Sequence, residues 1–318
     1  MAASAVTASL IHGRGGHATS QLRYNKQMPE SVHEPVMAAE VIEHLQVQPG
    51  QIIVDGTLGG GGHTRMLADL VGSEGRIVAM DRDIDAIERA KRELSDLPVT
   101  PLHGNFCNIP DGLEQLGIEK VHGVLLDLGI SSDQLADDDR GFSFHAAGEL
   151  DLRMDITTGE PAWKLIRRLS EKHLADLIYE FGEERASRRV ARALVAARQG
   201  NDLRSATEIA DIVRRAVPGP RGKIDKATRT FQALRIAVNE ELKSIEIALR
   251  RLPECMLAGS RVAVLSFHSL EDRIVKDAFR QNDGFATILR KPLRPTDAEI
   301  DRNPRSRSAK LRVAEVVG

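Results

Sequence analysis

Four short apolar runs alternate with helix-forming stretches in the first half of the chain, and this alternation narrows the fold more than any other feature. The runs are Gln51–Asp55 (QIIVD), Arg76–Asp81 (RIVAMD), Val99–His103 and Val121–Leu128 (VHGVLLDL). Each has strand length and is flanked by turn-forming residues. The last is almost continuously apolar, as a strand covered on both faces must be. Helical spacing occupies Pro35–Val47, Thr64–Val71 and Ile84–Leu97 around them. Strands alternating with helices predict an α/β fold with a doubly wound parallel sheet.

The alternation then stops. Residues 135–252 hold no convincing strand, only helical stretches at Trp163–Leu169, Glu171–Phe181, Glu184–Gln199, Ser205–Ala216 and Thr228–Leu252. A β-type run returns at Arg261–Phe267, a helix follows at Leu270–Gln281, and Phe285–Leu289 and Ala309–Val317 are expected to pair as strands. A sheet that is interrupted and resumed predicts an all-helical domain (135–252) inserted into an α/β domain (33–134 and 253–318). Residues 1–32 show no sustained hydrophobic period and are expected to form an unstructured tail. They lack the basic start and apolar core of a secretory signal.

Charge follows the same division. The net charge is −2. Residues 1–159 carry 12 Lys+Arg against 24 Asp+Glu, residues 160–251 carry 20 against 13, and residues 285–318 carry 8 against 4. An acidic half beside basic segments points to a polyanionic partner for the latter. No apolar run approaches the ~18 residues needed to cross a bilayer. Two cysteines, Cys107 and Cys255, cannot build a disulfide framework, which fits a reducing cytoplasm.

Asp55-Gly56-Thr57-Leu58-Gly59-Gly60-Gly61-Gly62-His63 follows the first strand and opens a helix, the place where Rossmann-like folds bind the adenosine end of a cofactor. Asp81 ends the second strand, where a carboxylate can accept ribose hydroxyls. The turn is not a P-loop, because no Gly-Lys-Ser/Thr follows, and it fits the dinucleotide pattern only loosely. A neutral adenosyl ligand with an amino-acid tail suits this wider turn. Asp127 ends the fourth strand, facing the ligand crevice of such a sheet.

Further motifs follow in order: LLDLGISSDQL (125–135), RGFSF (140–144), LDLRMD (150–155), FGEER (181–185), RTFQALRI (229–236), SFHSLEDR (266–273) and NPRSRSAKLR (303–312). With the glycine turn, this set resembles the bacterial MraW/RsmH family, over His33 to about Val317. The resemblance implies S-adenosyl-L-methionine as cofactor. It implies methylation of the N4 amine of a cytidine in 16S rRNA, in the decoding region of the small ribosomal subunit. It also implies cofactor contacts at Gly61, Gly62, His63, Asp81, Phe106, Asp127 and Gln134. Gly60 stands where relatives often carry a larger residue, and the segment between Asn282 and Pro292 is short for an rRNA contact.

The residues themselves agree with that chemistry. Cytosine N4 is a weak nucleophile, and an acceptor on its N–H would localise the lone pair. Asp127 or the Leu128 carbonyl is the candidate. No cysteine adjoins Asp127, so covalent attack on the ring is not indicated. Ser266 and His268 are candidates for contact with the target nucleotide, with ordinary helix capping by His268 as the alternative. Arg185, Arg188, Arg189 and Arg192 recur at helical spacing, and Lys223, Lys226, Arg229 and Arg235 surround a Pro/Gly turn. Of these, Arg188, Arg192 and Arg229 are the leading candidates for phosphate contacts with 16S rRNA or the 30S subunit. No metal is expected. A nicotinamide-dependent dehydrogenase and a non-catalytic RNA-binding assembly factor are the competing readings. Oligomeric state is open, a homodimer being one option.

Overall fold

The computed structural model describes residues 35–318 except 147, 201, 221 and 223. The expected tail and Lys223 therefore lie outside the described residues. The α/β part contains β1 (Ile52–Asp55), β2 (Arg76–Asp81), β3 (Val99–His103), β4 (Val121–Asp127), β5 (Met256–Ser266), β6 (Phe285–Thr287) and β7 (Lys310–Val316). Its helices are α1 (Ala38–Leu45), α2 (Gly62–Val71), α3 (Ile84–Glu93), α4 (Ile109–Gln115) and α5 (Ser132–Ala136). The helical segment contains α6 (Ala162–Arg168), α7 (Glu171–Gly182), α8 (Ser187–Gly200), α9 (Ala206–Ala216), α10 (Thr228–Asn239) and α11 (Glu241–Arg251). It is followed by α12 (Ser269–Gln281) and α13 (Asp297–Arg302).

The strand order is β3-β2-β1-β4-β5-β7-β6. β1 to β5 are parallel, while β7 runs antiparallel to both β5 and β6. Consecutive residues within a strand feed opposite cores, as the two-residue period of a strand requires. Ile53, Ile77, Ala79, Leu125, Ala263 and Leu265 pack under α1, α2 and α3. Val54, Val78, Val124, Leu126, Val262 and Val264 pack under α4, α11 and α12. Each fully buried aliphatic side chain contributes roughly 1.5–3 kcal/mol, so the parallel sheet rests on these two layers. The strand order reverses between β1 and β4, and the carboxyl ends of β1, β2, β4 and β5 converge there with Asp55, Asp81, Asp127 and Ser266.

A third core joins α6 to α10 with the loop around Phe142, Leu150, Leu152 and Met154. The long helical stretch expected over Thr228–Leu252 is two helices. Glu240 adopts φ 48° and breaks it, so that α10 stays in the helical core while α11 turns onto the sheet. The core boundary thus falls at 239–240 rather than at 252. Helix α8 begins at Ser187, three residues later than the periodicity suggests, because the Glu184 carboxylate turns back to accept from Ala186 N at 2.7 Å.

Candidate active site

The glycine turn is fastened to three strand ends. Asp55, fully buried, accepts from Thr64 Oγ1 (2.6 Å) and Thr57 N (3.1 Å). Burial pushes its carboxyl above the ordinary value. Thr57 Oγ1 accepts from Asp127 N at 2.6 Å, joining β1 to β4. Gly59 and Gly61 have φ of 50° and 78°, a region open to glycine at little cost. Gly59 N donates to Asp81 Oδ2 (2.7 Å), and Asp83 N donates to Asp81 Oδ1 (2.9 Å). Burial nonetheless raises the Asp81 carboxyl to about 6.

His63 opens α2 and is buried. Its Nε2 faces the Val36 carbonyl oxygen at 3.0 Å and its Nδ1 faces Asp127 Oδ2 at 3.4 Å. Burial opposes protonation of this imidazole, but Asp127 and Asp55 outweigh it and hold the pKa above the ordinary value. Asp127 Oδ1 is itself buried and has no hydrogen-bond partner among the described residues. Phe106 is half-buried at the turn after β3, beside Gly56, and its neighbour Cys107 is a buried thiol with a raised pKa. A cavity of about 460 Å³ lies near Asp111, Arg251 and Cys255, at the amino ends of β4 and β5 and so away from the strand ends that face ligands.

Gln134 has a supporting place. It completes a capping box with Ser131, and its Nε2 donates to Asp83 Oδ2 at 3.0 Å. Asp83 also faces the buried Arg140 guanidinium at 3.4 Å. Neither Asp83 nor Arg140 stands out in the sequence as a site residue, and the only available signal was an RGFSF motif without an evident role.

At the end of β5 the structure favours capping. His268 is the N-cap of α12: its Nδ1 accepts from Glu271 N, while Glu271 Oε2 accepts from the backbone of Phe267 and His268. Ser266 is 1% exposed, so its hydroxyl is not presented at the surface, and it has no partner among the described residues. Glu241, His268 and Glu271 bring possible ligand atoms within 4.8 Å of one another. Arg235 already holds Glu241 through two bonds of 2.8 Å, and capping leaves the His268 proton on Nε2, which disfavours a cation there. Arg235 is therefore a correction to the expected basic surface: it is half-buried and paired with the buried Glu241 carboxylate.

The remaining basic residues fare differently. Arg185, Arg188, Arg189 and Arg192 are all exposed at or on α8, and Arg192 reaches Glu171 at 3.4 Å. Arg229 is exposed and donates to the Glu183 carbonyl oxygen at 3.3 Å. Lys226 is spent on the Val217 and Gly219 carbonyls.

A reversed strand between β5 and β6, and a carboxylate-lined glycine turn at the switch point, define a Rossmann-like S-adenosylmethionine-dependent methyltransferase sheet, here with an inserted helical segment. Residues 30–317 match the MraW methylase family, and the chain belongs to that family. It is similar to proteins named ribosomal RNA small subunit methyltransferase H. The one from Rhodopirellula baltica is 47% identical over 300 residues, covering 91% of this chain and 92% of that one. The one from Sorangium cellulosum is 47% identical over 289 residues, covering 90% and 91%. The one from Deinococcus radiodurans is 44% identical over 303 residues, covering 95% of both. Family membership sets aside the dehydrogenase and non-catalytic readings. No described helix is long and apolar enough to cross a membrane.

Proposed function

We propose that the chain methylates the N4 amine of a cytidine in the decoding region of 16S rRNA, in the cytoplasm, with Asp127 as proton acceptor. S-adenosylmethionine supplies an electrophilic methyl group on a sulfonium. The residues fit that cofactor: Gly61, Gly62 and His63 form the turn against which it would lie. Asp81 is placed to accept from a ribose diol, with Gln134 supporting its turn through Asp83. Phe106 offers an apolar face to the adenine.

Asp127 Oδ1 carries the chemical reading. It is a buried carboxylate oxygen at the end of β4 with no partner among the described residues, while His63 steadies the other oxygen. Such an atom needs a donor, and an amine N–H supplies one. As N4 gains a bond to carbon and the carbon–sulfur bond breaks, the surplus proton leaves N4 for Asp127. The chain's remaining task is alignment of the amine in line with the bond that breaks. The exposed arginines of α8 and Arg229 give the helical insert its phosphate-binding face. Ser266, which is buried, and His268, which is half-buried, act by shaping the end of β5 beside the target base.

Transfer of tritium from labelled S-adenosylmethionine to free 16S rRNA and to 30S particles, with the modified nucleotide mapped, tests this reading. Asp127→Ala should lose about 100-fold in transfer rate at saturating S-adenosylmethionine. Transfer at full rate removes Asp127 from the chemistry.

A further inference from the structure

The helical insert reaches the cofactor turn through one buried polar knot. Arg140, 7% exposed, faces Asp83 and donates through Nη2 to the carbonyl oxygens of Arg153 (2.9 Å) and Met154 (2.8 Å). Asn239, 1% exposed at the end of α10, grips the same loop: its Oδ1 accepts from Met154 N (2.8 Å) and its Nδ2 donates to the Leu152 carbonyl oxygen (2.7 Å). The Asn239 carbonyl oxygen accepts from Arg82 Nη1 at 2.6 Å. Leu152 has φ 62°, a conformation that a branched apolar residue holds only when its surroundings impose it. Its N–H donates to the Arg140 carbonyl oxygen at 3.0 Å, so the knot closes on itself.

The placement of this knot has a chemical consequence. Asp83 N is one of the two donors that orient the Asp81 carboxylate. Arg82 and Asp83, which follow Asp81 directly, are thus held from the insert side by Asn239 and Arg140. We propose that Arg140 and Asn239 are positioning residues for the cofactor, holding the Asp81 turn in its binding geometry. The cofactor site is then incomplete without the insert. This inference rests on the reading of Asp81 as the ribose acceptor.

A double-mutant cycle read by calorimetric S-adenosylhomocysteine affinity, on full-length chains shown folded by circular dichroism, tests it. Arg140→Lys keeps the charge and loses the fork that serves both carbonyls and Asp83. Asn239→Ala loses the grip on residues 152–154. Each should weaken affinity about tenfold, and the pair no more than about the larger single effect, because both act through one unit. The KM for S-adenosylmethionine should rise while kcat at saturation stays within about twofold. Unchanged affinity in both folded single variants, or effects that multiply, would overturn the proposal. If Arg140→Lys does not fold, Arg82→Gln, which removes only the link to Asn239, takes its place with the same expectation. Asp81→Asn separates the two layers of argument. If it leaves affinity unchanged, the ribose reading fails. If it weakens binding while the knot variants do not, only the positioning inference fails.

Discussion

Asp81 should make cofactor affinity a function of pH. Its carboxyl titrates at about 6 against an ordinary 3.8, because burial outweighs the amides of Asp83 and Gly59 that favour the charge. A ribose diol donates both of its hydroxyl hydrogens, so the ionised carboxylate is the binding form. At pH 5 only about one site in eleven is ionised, and a ligand must supply the cost of removing the proton. Affinity for S-adenosylhomocysteine, whose charge is constant over this range, should therefore be about tenfold weaker at pH 5 than at pH 7.5, about 1.4 kcal/mol. Above pH 7 it should be flat. Calorimetry in buffers of different ionisation enthalpy should count close to one proton released per ligand at pH 5 and close to none at pH 7.5.

Two neighbours also take up protons more readily than usual, Asp55 through burial and His63 through its carboxylate partners. Asp81→Asn isolates the share of Asp81: it should bind more weakly and lose most of the pH dependence. Equal pH slopes in wild type and Asp81→Asn would refute the argument. The same shift acts on the ligand-free fold with a definite sign. Between 3.8 and about 6 the folded chain keeps a proton that the unfolded chain has lost, so this group withdraws stability as pH rises through that window. Saturating cofactor should reverse the trend, because it binds the ionised form.

Other perturbations give sharper structural readouts. Arg235→Met leaves Glu241 buried and unpaired and should cost about 3–5 kcal/mol in urea denaturation, most of it recovered in Arg235→Met/Glu241→Leu. A Cβ at Gly182 would overlap the Arg229 carbonyl oxygen, so Gly182→Ala should force α7 from α10 and lower stability by about 1–3 kcal/mol, read from the melting curve. Arg188→Glu/Arg192→Glu should weaken rRNA binding and flatten its salt dependence while calorimetric cofactor affinity stays unchanged; equal loss of both would mean misfolding instead.

What the sequence made legible, and what it hid, follows from the range of the forces involved. β3, a half-buried edge strand, matches its expected bounds because Pro98 and Gly104 flank it, and β2 matches because an apolar run covered on both faces ends at a charged residue. Asp55, Asp81 and Asp127 could be read as site residues for the same reason, since each closes such a run. Helix α4 escapes the pattern. It carries Pro110 in its first turn, where a missing N–H costs nothing, and Gly112, whose bare backbone lies against Leu102 and Met80. The left-handed residue between α10 and α11 is equally invisible to periodicity, because both helices keep the same spacing of apolar residues across Glu240. Charge counting fails for a different reason: it gives a sum and not a location, and Arg235, one of the basic candidates, is half-buried against Glu241 instead of lying on an open face. The knot of Arg82, Asp83, Arg140 and Asn239 lies furthest from sequence reasoning. Its members are separated by 57 residues in one link and 157 in another, none repeats with a period, and each alone reads as an ordinary cap or surface charge. Only the fold, by carrying the end of α10 back to the turn after β2, makes them one device.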